Sequence, residues 1–114
     1  EKRRKGCGAV IFQLTTPLLD GCVLAVLEQG DAYGYSLTQQ IKQQIEISES
    51  TLYPVLRRLQ REGCLTVYDQ QYQGRNRRYY AITQEGRALL EDCRRDWADY
   101  ARRVERILSG GGTV

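Results

Sequence analysis

The stretch Ser48-Glu49-Ser50-Thr51-Leu52-Tyr53-Pro54-Val55-Leu56-Arg57-Arg58-Leu59-Gln60-Arg61-Glu62-Gly63 decides how this chain is read. Leu52, Val55, Leu56 and Leu59 recur at i, i+3, i+4 and i+7, the spacing of one narrow apolar stripe on a helix. Ser48 or Ser50 can cap its start by accepting a hydrogen bond from a free backbone N–H. Glu49 suits the positive end of the helix dipole, and Gly63 closes the segment, so a helix is predicted over about 49–62. Pro54 falls near the first turn, where its missing N–H costs little. At about 100° per residue, Ser50, Pro54, Arg57 and Arg61 lie opposite the stripe, with Tyr53 and Arg58 on its flanks. The outer face of this helix is basic and rich in hydrogen-bonding groups.

Upstream, Leu18, Leu19, Cys22, Val23, Val26 and Leu27 fit one face of a first helix from Pro17 to Glu28, ended near Gly30-Asp31. A second helix, Tyr35 to about Ile45, turns Leu37 and Ile41 inward with Ile45 one turn further on. Downstream, Cys64 to Tyr68 and Arg78 to Thr83 are rich in Val, Ile, Thr and Tyr and flank the turn-prone segment Gln70 to Arg77, which reads as a two-stranded hairpin with a basic tip. Tyr68, Tyr79 and Tyr80 are expected to hold that hairpin, and Tyr53 either packs against it or faces outward. A last helix runs from about Gln84 to Leu108. Its apolar positions Leu90, Cys93, Trp97, Tyr100, Val104 and Ile107 alternate spacings of 3 and 4, a coiled-coil seam. Leu89 and Leu90 can pack on the domain, whereas Trp97 to Ile107 would project about 15 Å past it at 1.5 Å per residue. A second copy of the chain is the simplest cover for that seam.

The chain has 114 residues, 41% of them apolar, enough for one compact domain. It contains no histidine, which removes the commonest general base and the commonest metal ligand together. It also lacks a Gly-rich phosphate loop and an acid pair in an apolar setting, so only a thiol such as Cys22 or Cys64 could act as a nucleophile, and neither has a visible base. An enzyme is not expected, nor is a cofactor. The absence of methionine places the first residues under suspicion as processed or otherwise started. The four cysteines, Cys7, Cys22, Cys64 and Cys93, form no Cys-x-x-Cys pair and read as free thiols, the last three of them buried. No apolar run approaches a membrane span, and a cytoplasmic protein is expected. The net charge of +3 conceals a segregation. Residues 20–49 carry −4, from Asp20, Glu28, Asp31, Glu46 and Glu49 against Lys42, and residues 50–84 carry +4, from Arg57, Arg58, Arg61, Arg75, Arg77 and Arg78 against Glu62 and Asp69. Such a basic block points to a polyanion-binding face.

Three helices, a two-stranded hairpin and a long helix form the order of a winged helix-turn-helix with an appended dimerisation helix, a mainly α fold with a β-wing. A helix fits the DNA major groove, its first-turn residues reaching base edges while flanking arginines fix phosphates. Here those residues are Ser50, Thr51, Tyr53, Arg57 and Arg58. The wing tip, Gly74-Arg75-Asn76-Arg77-Arg78, would bring Arg75, Asn76, Arg77 and Arg78 to an adjacent phosphate track or the minor groove. Lys2-Arg3-Arg4-Lys5 is a candidate minor-groove arm. The expected layout is a basic tail over 1–16, the DNA-reading domain over 17–83, the dimerisation helix over 84–108 and a flexible tail over 109–114. A winged-helix module that binds another protein instead of DNA is the rival reading.

At these residues the sequence resembles the PadR-type transcriptional regulators. The resemblance rests on Tyr33-Gly34-Tyr35, on Ser50-Thr51-Leu52-Tyr53-Pro54-Val55-Leu56-Arg57-Arg58-Leu59 and on Glu62-Gly63. The wing Gly74-Arg75-Asn76-Arg77-Arg78-Tyr79-Tyr80 and Thr83-Gln84-Glu85-Gly86 complete it, over about residues 17–108. It implies a homodimeric repressor of the short, single-arm subclass, binding a pseudo-palindromic operator in double-stranded DNA and released by a small ligand or stress signal. It also implies that Trp97, which fills the dimer seam on residue grounds, is a candidate contact for a small planar aromatic effector.

Overall fold

The computed structural model describes residue 12 and residues 14–110. The basic arm Lys2 to Lys5, Cys7 and the tail from Gly111 onward lie outside the described residues. Helix α1 spans Thr16–Glu28, strand β1 Ala32–Tyr33, α2 Gly34–Lys42, α3 Glu49–Arg61, β2 Leu65–Tyr72, β3 Arg75–Ile82 and α4 Gln84–Leu108. The fold is mainly helical, with a small antiparallel sheet in the order β1-β3-β2 and a long C-terminal helix.

Three expectations about these elements change with the structure. The wing is not merely two-stranded, because Ala32 and Tyr33 pair with Tyr80 and Tyr79 and add a third strand. A strand this short carries no periodic signal, since alternation cannot show over so few residues. The hairpin is also longer than propensity suggests. β2 and β3 stay in register to Tyr72↔Arg75, through polar pairs that β propensity penalises, and only Gln73-Gly74 turns. Both turn residues have positive φ, 51° and 80°, the backbone of a tight hairpin turn that continues the twist of its strands. Helix α2 stops at Lys42, so Ile45 lies outside it and packs against the core from the loop.

The core is built from the stripes read in the sequence. Leu19, Val23, Leu24 and Leu27 of α1, Leu37 and Ile41 of α2, and Leu52, Val55, Leu56 and Leu59 of α3 meet Leu65, Tyr80 and Leu90. Ser48 caps α3, its Oγ accepting from the Thr51 N–H at 3.3 Å. Thr83 caps α4 by accepting from the Gly86 N–H at 3.0 Å, while its own hydroxyl donates to the Gly63 carbonyl at 2.6 Å. That one hydroxyl joins the end of α3 to the start of α4. Of the three cysteines described, only Cys64 is fully buried. Cys22 and Cys93 are half-buried, contrary to expectation, because both sit where α1 meets α4 at the edge of the core rather than inside it.

Two glycines let chains approach closely. A Cβ on Gly86 would lie 2.3 Å from the Cys64 carbonyl oxygen and 2.8 Å from Ile82 Cγ1, whereas one on Gly21 would meet the Cys93 thiol at 2.2 Å. Backbone cannot turn aside, but a thiol can rotate. Gly86→Ala is therefore expected to destabilise the fold by about 2 kcal/mol even after the gain in helix propensity, roughly 8 °C in Tm. Gly21→Ala should cost under about 1 kcal/mol. Urea and thermal unfolding of the two variants check the order.

Candidate nucleic-acid interface

The position of α3 fixes the site. Glu49 at its first turn accepts from Gln39 Nε2 at 3.4 Å and from Lys42 Nζ at 3.5 Å, which ties α3 to α2 across the turn between them. Burial of the stripe Leu52, Val55, Leu56 and Leu59 then sets its rotation. Ser50, Thr51, Pro54, Arg57 and Arg61 are exposed, and Tyr53 and Arg58 are half-buried on the flanks. At the N-terminal end, the Ser48 hydroxyl lies 2.9 Å from that of Ser50 and 3.1 Å from that of Thr51, a small cluster of hydroxyls with free lone pairs toward solvent.

The arginines of this region divide by partner. Arg57, Arg61 and Arg75 are exposed and have no ion-pair partner among the described residues. Arg58, adjacent in sequence to Arg57, faces the body instead. Its guanidinium donates to Asp20 Oδ1 at 2.5 Å and reaches Glu62 at 3.5 Å. The hydrogen bond to Asp20 holds the Arg58 pKa above its ordinary value, with Glu62 adding to it. Arg58 therefore serves as the counter-ion of a buried carboxylate, and it is not one of the outward cations. Asp20 was missed by the sequence reading although a signal was present. It stands in phase with Val23, Leu24 and Leu27 on the buried stripe of α1, and a carboxylate there requires a partner.

On the wing, side chains alternate between two faces. Arg78 stands opposite Asp69 and lies 3.5 Å from it, an exposed and weak pair. Asn76, opposite Gln71, shares that face toward the tip. The other face is aromatic. Tyr33, Tyr79 and Tyr68 form a row across the three strands with centroid separations of 6.0 and 5.6 Å. The Tyr68 hydroxyl donates to Asp31 at 2.7 Å, which pushes its pKa up. Arg77 is half-buried here, its guanidinium carbon 4.4 Å from the Tyr33 ring and 4.2 Å from the Tyr72 ring. Tyr53 packs against the core beside Tyr80.

Helix α4 presents a different chemistry. Its arginines Arg94, Arg95, Arg102 and Arg103 are paired with Glu28, Glu91, Asp92 and Asp99, so its charge is locally neutralised. Its seam divides between the body and solvent, and Cys93, read as part of the dimer seam, joins Leu90 on the body side. Leu90 is buried and Cys93 half-buried against α1, while Trp97, Tyr100 and Ile107 are 49, 62 and 75% exposed and Val104 is half-buried. Trp97 and Tyr100 form a tilted pair with centroids 6.5 Å apart. Burial raises the pKa of the thiols of Cys22, Cys64 and Cys93, the opposite of what a nucleophile needs. No described helix is long and apolar enough to cross a membrane.

The chain is similar in sequence and fold to known proteins. Residues 23–92 match the model of the transcriptional regulator PadR-like family. The chain is 37% identical over 87 residues to the transcriptional regulator Rv3488 of Mycobacterium tuberculosis, covering 73% of this chain and 81% of that protein. Among solved structures, smu.1704 from Streptococcus mutans superposes with a TM-score of 0.80 at 36% identity, covering 87% of this chain and 93% of the other. A PadR family transcription regulator from Clostridium difficile superposes with a TM-score of 0.73 at 29% identity, covering 79% and 97%. The chain belongs to the PadR-like family of transcriptional regulators, and with it to the DNA-binding regulators.

Proposed function

We propose that this protein is a cytoplasmic, homodimeric repressor that reads a pseudo-palindromic operator and is released by a small planar aromatic effector or a stress signal. One observation carries the DNA-reading part. Arg57 and Arg61 on the outer face of α3 and Arg75 at the wing tip have no carboxylate partner among the described residues, while Arg94, Arg95, Arg102 and Arg103 of α4 are paired in place. Leaving like charges unpaired on one face costs self-repulsion, and a polyanion recovers it. In this reading residues 17–83 form the DNA-reading unit. Ser50, Thr51 and Arg57 meet base edges and nearby phosphates, with Tyr53 at the rim, and Arg75, Asn76 and Arg78 meet the flanking phosphates or minor groove. Arg58 contributes by fixing α3 on α1.

The dimer rests on the exposed side chains of Trp97, Tyr100 and Ile107 and the half-buried Val104, spaced so that one strip of α4 (residues 84–108) carries them all. The Trp97–Tyr100 pair offers flat π surfaces at that seam, which suits a planar aromatic effector.

DNA affinity should fall steeply with salt, and Arg75→Ala or Arg57→Ala should each lower the slope of log affinity against log salt by about 1 without moving Tm. Arg58→Met, in contrast, should destabilise the free protein by about 2 kcal/mol, because it strands Asp20. Fluorescence anisotropy across salt concentrations, beside thermal melts, separates the two classes. Equal affinity for operator and random DNA would overturn the specific-regulator reading, and a chain that ignores DNA altogether would favour the protein-binding module. Tyr100→Glu combined with Ile107→Glu should yield a monomer by sedimentation, with folding intact because neither residue is in the core. Planar dyes should quench Trp97 fluorescence in the wild-type dimer and lose that effect in this monomer.

A further inference from the structure

Arg77 is set apart from its basic neighbours. It lies between the rings of Tyr33 on β1 and Tyr72 at the end of β2, both within cation–π reach of its guanidinium carbon. Strand β1 ends at Tyr33, so beyond it the wing is a two-stranded ribbon that continues to the Gln73-Gly74 turn. An isolated ribbon of this kind is marginal in water, and its pairs toward the tip, Gln70↔Arg77, Gln71↔Asn76 and Tyr72↔Arg75, are polar and contribute little packing. The contact from Tyr33 through Arg77 to Tyr72 crosses all three strands on one face at the point where the third strand stops. Tyr33 is itself anchored, its ring 6.0 Å from Tyr79 and 6.4 Å from Tyr35 at the start of α2.

We infer that Arg77 is a positioning residue, the middle layer of a Tyr33–Arg77–Tyr72 sandwich that holds the wing tip rigid on the helical body, and that the phosphate contacts of the wing fall to Arg75 and Arg78. The inference rests on the DNA-reading proposal only for its functional consequence. The sandwich itself exists in the free protein. Its chemistry explains why Arg is suited to this position, since a planar guanidinium stacks on two rings at once while its edge N–H groups stay hydrated. A rigid tip delivers Arg75 and Arg78 to the duplex at lower entropic cost than a fraying one.

The test is a double-mutant cycle of Arg77→Gln and Tyr72→Leu, read in two ways. In the free protein, hydrogen exchange of the tip amides, residues 70–72 and 75–77, should speed up about tenfold in either variant and no further in the double variant. Exchange at Leu24 and Leu56 in the core should stay as in the wild type. In DNA titrations, Tyr72→Leu should weaken binding about threefold to tenfold while leaving the salt slope unchanged, and adding Arg77→Gln to it should bring no further loss of affinity. Arg77→Lys should recover part of the protection, because an ammonium also makes cation–π contacts but cannot stack. Unchanged tip exchange in Arg77→Gln would overturn the sandwich whatever the protein does with DNA. A further drop in affinity and a loss of about 1 in slope when Arg77→Gln is added to Tyr72→Leu would make Arg77 a phosphate contact and overturn the positioning role. If wild-type protein binds no DNA while the exchange pattern appears, the DNA-reading proposal fails and the sandwich stands as a structural staple.

Discussion

The ion pair between Asp20 and Arg58 is the constraint around which the other parts are arranged. Asp20 lies on the buried stripe of α1, beside Gly21, where α4 comes close enough for the Cys93 thiol to touch the α1 backbone. Three helices therefore converge on one carboxylate, and a single guanidinium from α3 answers it at 2.5 Å. Such a pair adds little net stability, because desolvating two charges offsets most of their attraction. Its effect is selective. Any packing in which α3 rotated or slid along α1 would leave Asp20 buried without a cation, and that alternative is costly. Apolar stripes tolerate small slips, whereas a charge-assisted hydrogen bond does not.

From that fixed orientation the outer face of α3 follows. With Leu52, Val55, Leu56 and Leu59 turned inward and Arg58 turned toward Asp20, Arg57 and Arg61 can only point to solvent. The adjacent pair Arg57-Arg58 thus divides its labour, one cation for the interior and one for the outside, by the 100° that separates neighbours on a helix. The capping hydroxyl of Ser48 gathers those of Ser50 and Thr51 at the same end, so the hydrogen-bonding groups of this face sit where the helix is best anchored.

Much of this was legible in the sequence because the relevant signals are periodic. Each helix announced itself by its apolar spacing, and the core stripe of α3 came out residue by residue. The features that were not legible depend on contacts between distant residues. Ala32 and Tyr33 become a strand only because Tyr79 and Tyr80 present a free edge to them. The polar residues from Asp69 to Tyr72 read as turn on propensity, yet a hairpin turn of positive φ at Gln73-Gly74 keeps them paired. Composition reads every arginine of residues 50–84 as surface charge. The structure assigns Arg58 to a carboxylate 38 positions earlier in the chain and Arg77 to two tyrosine rings. A charge tally gives the sign of a face, but which cations are free to act on a partner is settled by tertiary pairing.

The same distinction bears on how the two ends of the molecule divide their tasks. Helix α4 holds Arg94, Arg95, Arg102 and Arg103 in ion pairs at i, i+3 and i, i+4 and across to Glu28 of α1, leaving an apolar strip with nearly neutral flanks. Two such helices can approach with less charge repulsion than a seam flanked only by unpaired arginines would impose. The α3 face and the wing tip do the reverse, exposing Arg57, Arg61 and Arg75 unpaired where approach of another cationic copy is disfavoured and approach of a polyanion is favoured. In the proposed reading, charge pairing separates the surfaces by partner, with a second copy at α4 and nucleic acid at α3. Because α4 is docked on α1 next to Asp20, the spacing between two reading helices in the proposed dimer would be set through the same junction that fixes α3.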